Sequence, residues 1–577
     1  MSKPYHKIYP QGVRKSLDYP NVPLFQFLDD AVANFPDHTA LILEGHAFSG
    51  VHTMSYRELG DMTDRLAVFL HEKGIQKGDR VALFMPNFPD FVVSYFGIMK
   101  AGATAVLINF QYEPNELELL LKDSGSKAII TMDLPKANKW CYKKVKDVRS
   151  NVPELELVVV ASVKPYLASL KRTIGGLLGV ITKKDPQDTY LDDAIQEADS
   201  SKRPTVSMDT EKDVAVLIYT GGTTGTPKGA MLTHRNLVSN VMQCQEWMGA
   251  KEKGLETIMG SLPFYHSFGM TTAMNISISI AARLVLMPDP RARGFLEILE
   301  LLAKYKCTYF CAVPTLYSRI LARPELSDYD LTSLKACLSG AAPLPVEVMK
   351  QFEVVTKGNL VEGYGLTETS PVATANPLLP GPGMDVPLKK VGSIGIPFPD
   401  TEITVFDVDT GTKELPLGEE GEIAIKGPQV MLGYWEKPEE TSNVMRGDYF
   451  LTGDIGKMDE EGYFYITDRK KDMLNLSGFK AYPREIEEVL YEHPAVSLAA
   501  VIGVPDPKRG ETVKAFVVLK EDQTATEEEI KEFCRGKMAS YKVPQFIEFR
   551  EELPLTDVGK VLRRVLRQED REAAEET

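Results

Sequence analysis

Short apolar runs alternate with stretches of helical period along the first third of the chain. Residues 40–43 (ALIL), 80–86 (RVALFMP), 104–109 (TAVLIN) and 128–132 (AIITM) read as buried strands. Between them, residues 56–74, 91–102 and 115–125 carry apolar positions at helical spacing. Ser55 with Glu58 three residues later makes a capping-box pattern that opens the first helix. Another apolar run, 214–220 (VAVLIYT), leads into a glycine-rich turn, after which Thr233 is placed to cap a helix over 234–248. This alternation predicts an α/β fold of layered, mostly parallel sheets with helices.

Past DRKKD (468–472) the rhythm restarts as a compact α+β pattern. It predicts a helix over 483–493, strands over 497–504 and 513–520, a helix over 526–537 and a strand over 546–550. The expected organisation is therefore a large N-terminal domain, 1–470, and a small mobile C-terminal lid domain, 471–577. A length of 577 residues accommodates both.

Composition narrows the function more than the fold. A net charge of -15 argues against a nucleic-acid binder, whose footprint is basic. Six cysteines are too sparse for a disulfide framework; Cys307 and Cys311, in an apolar run without neighbouring histidines, read as core residues rather than metal ligands. The N-terminus lacks an apolar signal core and no apolar run is long enough to span a bilayer, so a cytoplasmic location is expected. One segment, 163–184, mixes Lys164, Lys171, Arg172, Lys183 and Lys184 with Leu, Ile and Val. It reads either as a surface hairpin packed on the large domain or as a peripheral contact with the inner membrane face.

The most informative chemistry lies in Tyr219-Thr220-Gly221-Gly222-Thr223-Thr224-Gly225-Thr226-Pro227-Lys228-Gly229. Placed between a buried strand and a helix, its backbone amides, threonine hydroxyls and lysine are expected to converge on phosphate oxygens. It is not a Walker A loop, because Gly229 follows the lysine where that motif needs Ser or Thr. A merely polar turn is the bland alternative, which four glycines, four threonines and a lysine within eleven residues disfavour.

This segment closely resembles the phosphate-loop signature of the adenylate-forming superfamily, which includes acyl-CoA synthetases, luciferases and peptide-synthetase adenylation domains. Seven more segments resembling the family's signatures follow in order: LPFYHSFGM (262–270), SGAAPLP (339–345), EGYGLTET (362–369), GSIGIPFP (392–399), FLTGDIG (450–456), DRKKDMLNLSGFKAYPREIE (468–487) and PLTDVGKVLRR (554–564). Within the superfamily, GAMLTHRNL, KGPQVMLGYW and DRKKDM…SGF…YPREIE resemble bacterial-type long-chain fatty-acid ligases.

The resemblance implies ATP, Mg²⁺, coenzyme A and a fatty acid as reactants or cofactors, and leaves a homodimer open. It implies that Thr220, Gly221, Gly222, Thr223, Thr224, Gly225 and Lys228 hold phosphates, and that Gly340, Ala341 and Ala342 wall the adenine. Tyr364, within Glu362, Gly363 and Gly365, stacks on that base. Thr367 donates to the α-phosphate, and Glu368 holds Mg²⁺ with Thr223. Asp454 grips the ribose hydroxyls, with Arg469 as its helper. His266 and Met270 gate the acyl site, Lys560 serves adenylation, and Lys471 is the hinge. Ser477, Gly478, Phe479 and Lys480 line the coenzyme A channel.

The chemistry is self-consistent. A fatty carboxylate with a pKa of about 4 is already ionised, so attack on the α-phosphorus needs positioning and charge neutralisation rather than a base. No Ser–His–Asp set or G-x-S-x-G elbow is recognisable, in keeping with that chemistry. Two other readings compete: an adenylating enzyme for another acid or acceptor, such as an aryl acid or a stand-alone carrier-protein loader, and a non-catalytic fatty-acid-binding protein. One departure is Gly447-Asp448-Tyr449-Phe450-Leu451-Thr452-Gly453-Asp454, which lacks the Trp and His that long-chain ligases carry there. It bears on chain length more than on reaction type.

Overall fold

The computed structural model describes residues 3–46, 48–134, 141–167, 184–220, 227–250, 252–288, 295–380, 388–470, 472, 474–476, 479–506, 510–520, 522–555 and 561–575. By internal contacts the chain forms two compact units, one of residues 5–402 with 426–444, the other of 1–4, 403–425 and 445–577. The 470/471 boundary read from the sequence falls inside the second unit, between its two sheets.

The first unit contains two large sheets. One has eight strands in the order Gly433–Tyr434, Lys228–Thr233, Val214–Thr220, Thr104–Leu107, Arg80–Phe84, Ala128–Met132, Leu157–Ala161, Thr189–Tyr190. All neighbours from Val214–Thr220 onward are parallel, and the first two strands are antiparallel additions. The other has nine strands: Ile396–Pro397, Val372–Ala375, Asn359–Gly365, Ala336–Ser339, Tyr309–Ala312, Thr257–Gly260, Arg283–Leu286, Thr39–Leu43, His52–Ser55. Its centre, from Asn359–Gly365 to Thr39–Leu43, is parallel. Parallel strands covered on both faces must be apolar throughout, which is why these runs show no alternation in sequence.

The helices confirm the local signals. Ser55 accepts the amide of Glu58 at 3.2 Å, while the Glu58 carboxylate accepts the Ser55 amide at 2.7 Å, closing the capping box of the helix Tyr56–Glu72. Thr233 caps His234–Met248 in the same manner with Asn236. The helix Pro89–Lys100 is buried all round, including Lys100, whose ammonium pairs with Asp29 and Asp64 at 2.9 and 2.7 Å. Cys307 and Cys311 are buried in the core, as the apolar run implied.

The second unit has two five-stranded sheets. Glu402–Phe406, Gly421–Lys426, Tyr449–Met458 and Met445–Arg446 form the first, with Phe464–Arg469 beside Tyr449–Met458. The second comprises Phe479–Ala481, Leu474–Leu476, Gly510–Leu519 and Val496–Asp506, with Phe546–Phe549 parallel to Gly510–Leu519. Alternate residues of its long strands face two cores. Val501, Val513, Ala515 and Val517 meet Ile486 and Ile530 on one side; Ile502 and Phe516 meet Leu566 of the helix Arg563–Glu575 on the other.

Candidate functional site

Three candidate segments leave the carboxyl ends of parallel strands of the nine-stranded sheet. His266–Met270 follows Thr257–Gly260, Gly340–Ala342 follows Ala336–Ser339, and Thr367–Glu368 follows Asn359–Gly365. The carboxyl edge of such a sheet is where ligands gather in open α/β folds. Side chains knit the segments together: the Ser267 hydroxyl donates to Thr367 Oγ1 at 3.5 Å, and the Thr271 hydroxyl donates to the Ser370 carbonyl at 2.6 Å. A methyl added at Gly340 would stand 3.0 Å from the Phe268 ring, and one at Gly365 would fall 1.8 Å from the Pro371 carbonyl oxygen. Glycine at both positions lets these turns approach. Ala341 adopts φ +67°, a left-handed conformation that non-glycine residues hold only where their surroundings enforce it.

His266 is half-buried and its Nδ1 accepts the Phe268 amide at 3.2 Å. Met270 is fully buried and begins a π-helical turn, Met270–Asn275, an irregularity common at functional sites. Glu362 is buried and Tyr364 half-buried on the strand that ends in this cluster.

Glu368 is buried, with 8% of its surface exposed, and the Tyr434 hydroxyl donates to its Oε1 at 2.8 Å. The Glu368 carbonyl accepts the Met431 amide at 2.8 Å, which ties the acidic turn to the segment 426–435. Burial, then the Glu368 charge, hold the Tyr434 phenol well above its usual pKa, so it stays a donor at any working pH. The ammonium of Lys228 lies 5.4 Å from the centre of the same Tyr434 ring and pairs with Glu440. Tyr434 thus touches both the phosphate-loop lysine and the candidate metal carboxylate. The sequence reading passed over Tyr434 and Glu440; the GYW of 433–435 is visible in sequence, but not that it reaches residues 66 and more positions away.

The phosphate loop needs one correction. It does not run from strand into helix: Lys228–Thr233 is a strand antiparallel to Val214–Thr220, with Thr220 opposite Lys228. The loop is a hairpin connection, and the helix His234–Met248 begins only after that second strand. The reason is that Lys228–Thr233 has strand partners on both sides, Val214–Thr220 and Gly433–Tyr434. No helix dipole is therefore delivered at the loop's end. The hairpin is anchored by Tyr219, whose hydroxyl donates to Asp123 at 2.6 Å, and Lys437 pairs with the same carboxylate at 3.1 Å.

In the other unit, Asp454 and Arg469 face each other across Tyr449–Met458 and Phe464–Arg469, with Nε 2.7 Å from Oδ1. Asp454 is 2% exposed. Gly453, at φ +72°, makes the bend that precedes it, and its carbonyl accepts the Lys470 amide at 2.9 Å. Next along, Asp468 accepts the amides of Arg469 and Arg484 at 2.6 and 2.8 Å; burial nevertheless pushes its carboxyl up to about 6, against the pull of the Arg563 guanidinium.

Gly221, Gly222, Thr223, Thr224, Gly225, Lys471, Ser477, Gly478 and Lys560 lie outside the described residues, as do Lys171, Arg172 and Lys183. Phe479 and Lys480 fall on the strand Phe479–Ala481. The ends of the segment that carries Lys560 are described: Leu555 and Val561 bridge, and the Leu562 amide donates to the Pro554 carbonyl at 2.8 Å. Of the basic-apolar stretch, Lys164 lies in a short turn and Lys184 stands over the Tyr190 ring at 5.0 Å. Among the described residues, no helix is long and apolar enough to cross a membrane and no group of three or more His, Cys, Asp or Glu could hold a metal.

Residues 28–435 match the family model of AMP-binding enzymes, and residues 485–560 match that of the AMP-binding enzyme C-terminal domain. A long-chain-fatty-acid–CoA ligase of Bacillus subtilis (strain 168) is 44% identical, covering 99% of this chain and 98% of its own length. One of Escherichia coli O6:H1 is 38% identical over 95% of this chain and 94% of its own. Among solved structures, ATP-bound MatB from Rhodopseudomonas palustris superposes with a TM-score of 0.80 at 31% identity, covering 95% of this chain and 99% of that one.

Proposed function

The chain belongs to the AMP-binding enzyme family, and we propose that it joins a medium- to long-chain fatty acid to coenzyme A at the expense of ATP. It is an AMP-forming acid–thiol ligase. In the first half-reaction a carboxylate oxygen attacks the α-phosphorus, the bond to pyrophosphate breaks, and acyl-adenylate forms. In the second, the coenzyme A thiol attacks the acyl carbon, the carbon–oxygen bond to AMP breaks, and the thiol proton passes to solvent.

The residues divide this work by chemistry. Lys228 and the 220–225 loop neutralise the phosphates, Thr367 donates to the α-phosphate, and Gly340–Ala342 with Tyr364 receive the adenine. Asp454, ordered by Arg469, accepts from the ribose hydroxyls. His266 and Met270 stand at the acyl carboxyl end. Preorganised charge partners of this kind are each worth on the order of 3 kcal/mol of barrier. Lys560 acts in the first half-reaction only: Lys560→Ala should block pyrophosphate release yet spare conversion of added acyl-adenylate to thioester, and equal loss of both steps would remove that role. Ser477–Lys480 meet coenzyme A in the second, with Lys471 as the hinge between the two states.

Glu368 fits Mg²⁺. Its carboxylate is buried, accepts one hydroxyl from Tyr434, and retains acceptor capacity for a hard cation. Magnesium is usually held by one or two carboxylates together with substrate phosphates rather than by an all-protein cage. Bound there with Thr223, it would screen charge on the phosphate oxygens.

The observation that carries this reading is identity of 44% across nearly the whole of both chains, extending through both units. A panel of acids from acetate to oleate, scored by thioester and AMP formed, tests it. Medium- or long-chain acids should be turned over best; acetate as the best substrate would overturn the fatty-acid assignment. The protein is assigned to the cytoplasm, and the stretch 163–184 is either a surface hairpin packed on the large domain or a peripheral membrane contact. Liposome flotation should weaken on charge reversal of the five cations there, and unchanged flotation would dismiss the contact.

A further inference from the structure

We infer that Glu440 is a built-in counter-ion of the phosphate loop: it occupies the Lys228 ammonium in the absence of nucleotide and is displaced by the phosphates of ATP. The inference rests on the phosphate role proposed for Lys228 and adds to it a residue that sets ATP affinity.

The contact is held in place from both sides. Lys228 is the first residue of its strand, fixed by pairing of that strand with Val214–Thr220 and Gly433–Tyr434. Glu440 lies in the helix Pro438–Val444, and its neighbour Thr441 accepts the Tyr434 amide at 2.9 Å, so the helix is pinned to the strand whose ring Lys228 covers. The Lys228 side chain is 12% exposed and that of Glu440 34%. An ammonium so nearly buried needs a partner, and Glu440 supplies the carboxylate paired with it. Glu440 stands nearer water, so its own release is the cheaper one.

Physical chemistry then sets the direction. A Lys head is a compact charge with three donors, which a carboxylate and a ring face partly use. A triphosphate brings several negative charges to the same point. It must first break the Lys228–Glu440 pair and then sit near the freed carboxylate. Glu440 therefore opposes nucleotide binding, whereas a residue that merely oriented Lys228 would assist it.

Calorimetric titration of the full chain with ATP, inorganic pyrophosphate and adenosine separates these cases. Glu440→Gln keeps the shape and removes the charge. It should bind ATP and pyrophosphate about two- to fivefold more tightly, the range expected for one partly exposed ion pair. Adenosine affinity should stay as in the parent, which also reports that the variant is folded. Equal or weaker binding of ATP and pyrophosphate by Glu440→Gln would overturn the inference. Lys228→Gln should lose affinity for both phosphate ligands. If it does while Glu440→Gln changes nothing, only the counter-ion role fails; if Lys228→Gln binds both as the parent does, the phosphate role fails and the inference with it.

Discussion

Two regions hold the candidate polar residues, and they are built in opposite ways. Asp454 and Arg469 are fifteen positions apart and meet because two adjacent strands pair in register. Glu368, Tyr434, Lys228 and Glu440 are brought together across as many as 212 positions by a turn, a short edge strand and a hairpin. The first arrangement is local. The second depends on the strand Gly433–Tyr434 adding to the edge of the eight-stranded sheet while its tyrosine reaches a turn that follows the nine-stranded one.

Substitutions can break that comparison, in order of effect. Glu368→Gln removes the carboxylate on which the cluster converges and should lower kcat for acyl-adenylate formation about a hundred- to a thousandfold, the cost of one preorganised charge partner. ATP–pyrophosphate exchange reads this directly; a loss under tenfold would show that Glu368 is not at the reacting centre. If Asp454 accepts from the ribose as proposed, Asp454→Asn should raise the KM for ATP roughly thirtyfold with a smaller change in kcat, since it removes the charge behind two ground-state hydrogen bonds. A pure kcat effect would move Asp454 out of the ribose contact.

Tyr434→Phe deletes only the phenol that holds Glu368. Loss of such an outer partner typically costs about tenfold or somewhat more in metal affinity or activity. The half-saturating Mg²⁺ concentration for ATP binding, followed by calorimetry, should rise by about that factor. An unchanged Mg²⁺ requirement would reduce Tyr434 to packing.

The smallest effect belongs to the scaffold. Asp90 lies at the start of the helix Pro89–Lys100, accepts the Tyr166 hydroxyl at 2.7 Å, and is pushed up to about 7, chiefly by burial and further by the Asp192 and Asp133 charges. Its folded pKa stands above the unfolded value of about 3.9. The stability it confers is thus complete below that value and is lost as pH rises through about 7. Stability to heat should fall between about pH 4 and 7 and level off above, and Asp90→Asn should flatten part of that slope, by on the order of 1–2 kcal/mol. Only part is expected, because buried Asp133 and Asp468, each raised to about 6, contribute with the same sign. An identical slope in the variant would contradict the assignment.

What the sequence disclosed follows the same division. The parallel strands, the capping boxes at Ser55 and Thr233 and the α+β pattern of 483–550 are local signals, and each element formed where its pattern lay. Candidate residues in the turns after Gly260, Ser339 and Gly365 were legible because each sits in a short signature, and the sheet then places the three turns at one edge. The strand Lys228–Thr233 was missed because KGAMLT shows little alternation and derives its stability from partners on both sides. Glu440 carries no local mark of the lysine it will face, and Tyr434, although inside KGPQVMLGYW, carries no mark of Glu368 or Lys228 as its neighbours.

Transfer of oxygen from the acid to the nucleotide tests the central claim most directly. With palmitate labelled in both carboxylate oxygens by ¹⁸O, ATP, Mg²⁺ and coenzyme A, passage through acyl-adenylate leaves one ¹⁸O on the phosphate of AMP as palmitoyl-CoA forms. Label in inorganic phosphate with ADP as the nucleotide product, or thioester accompanied by unlabelled AMP, would contradict it.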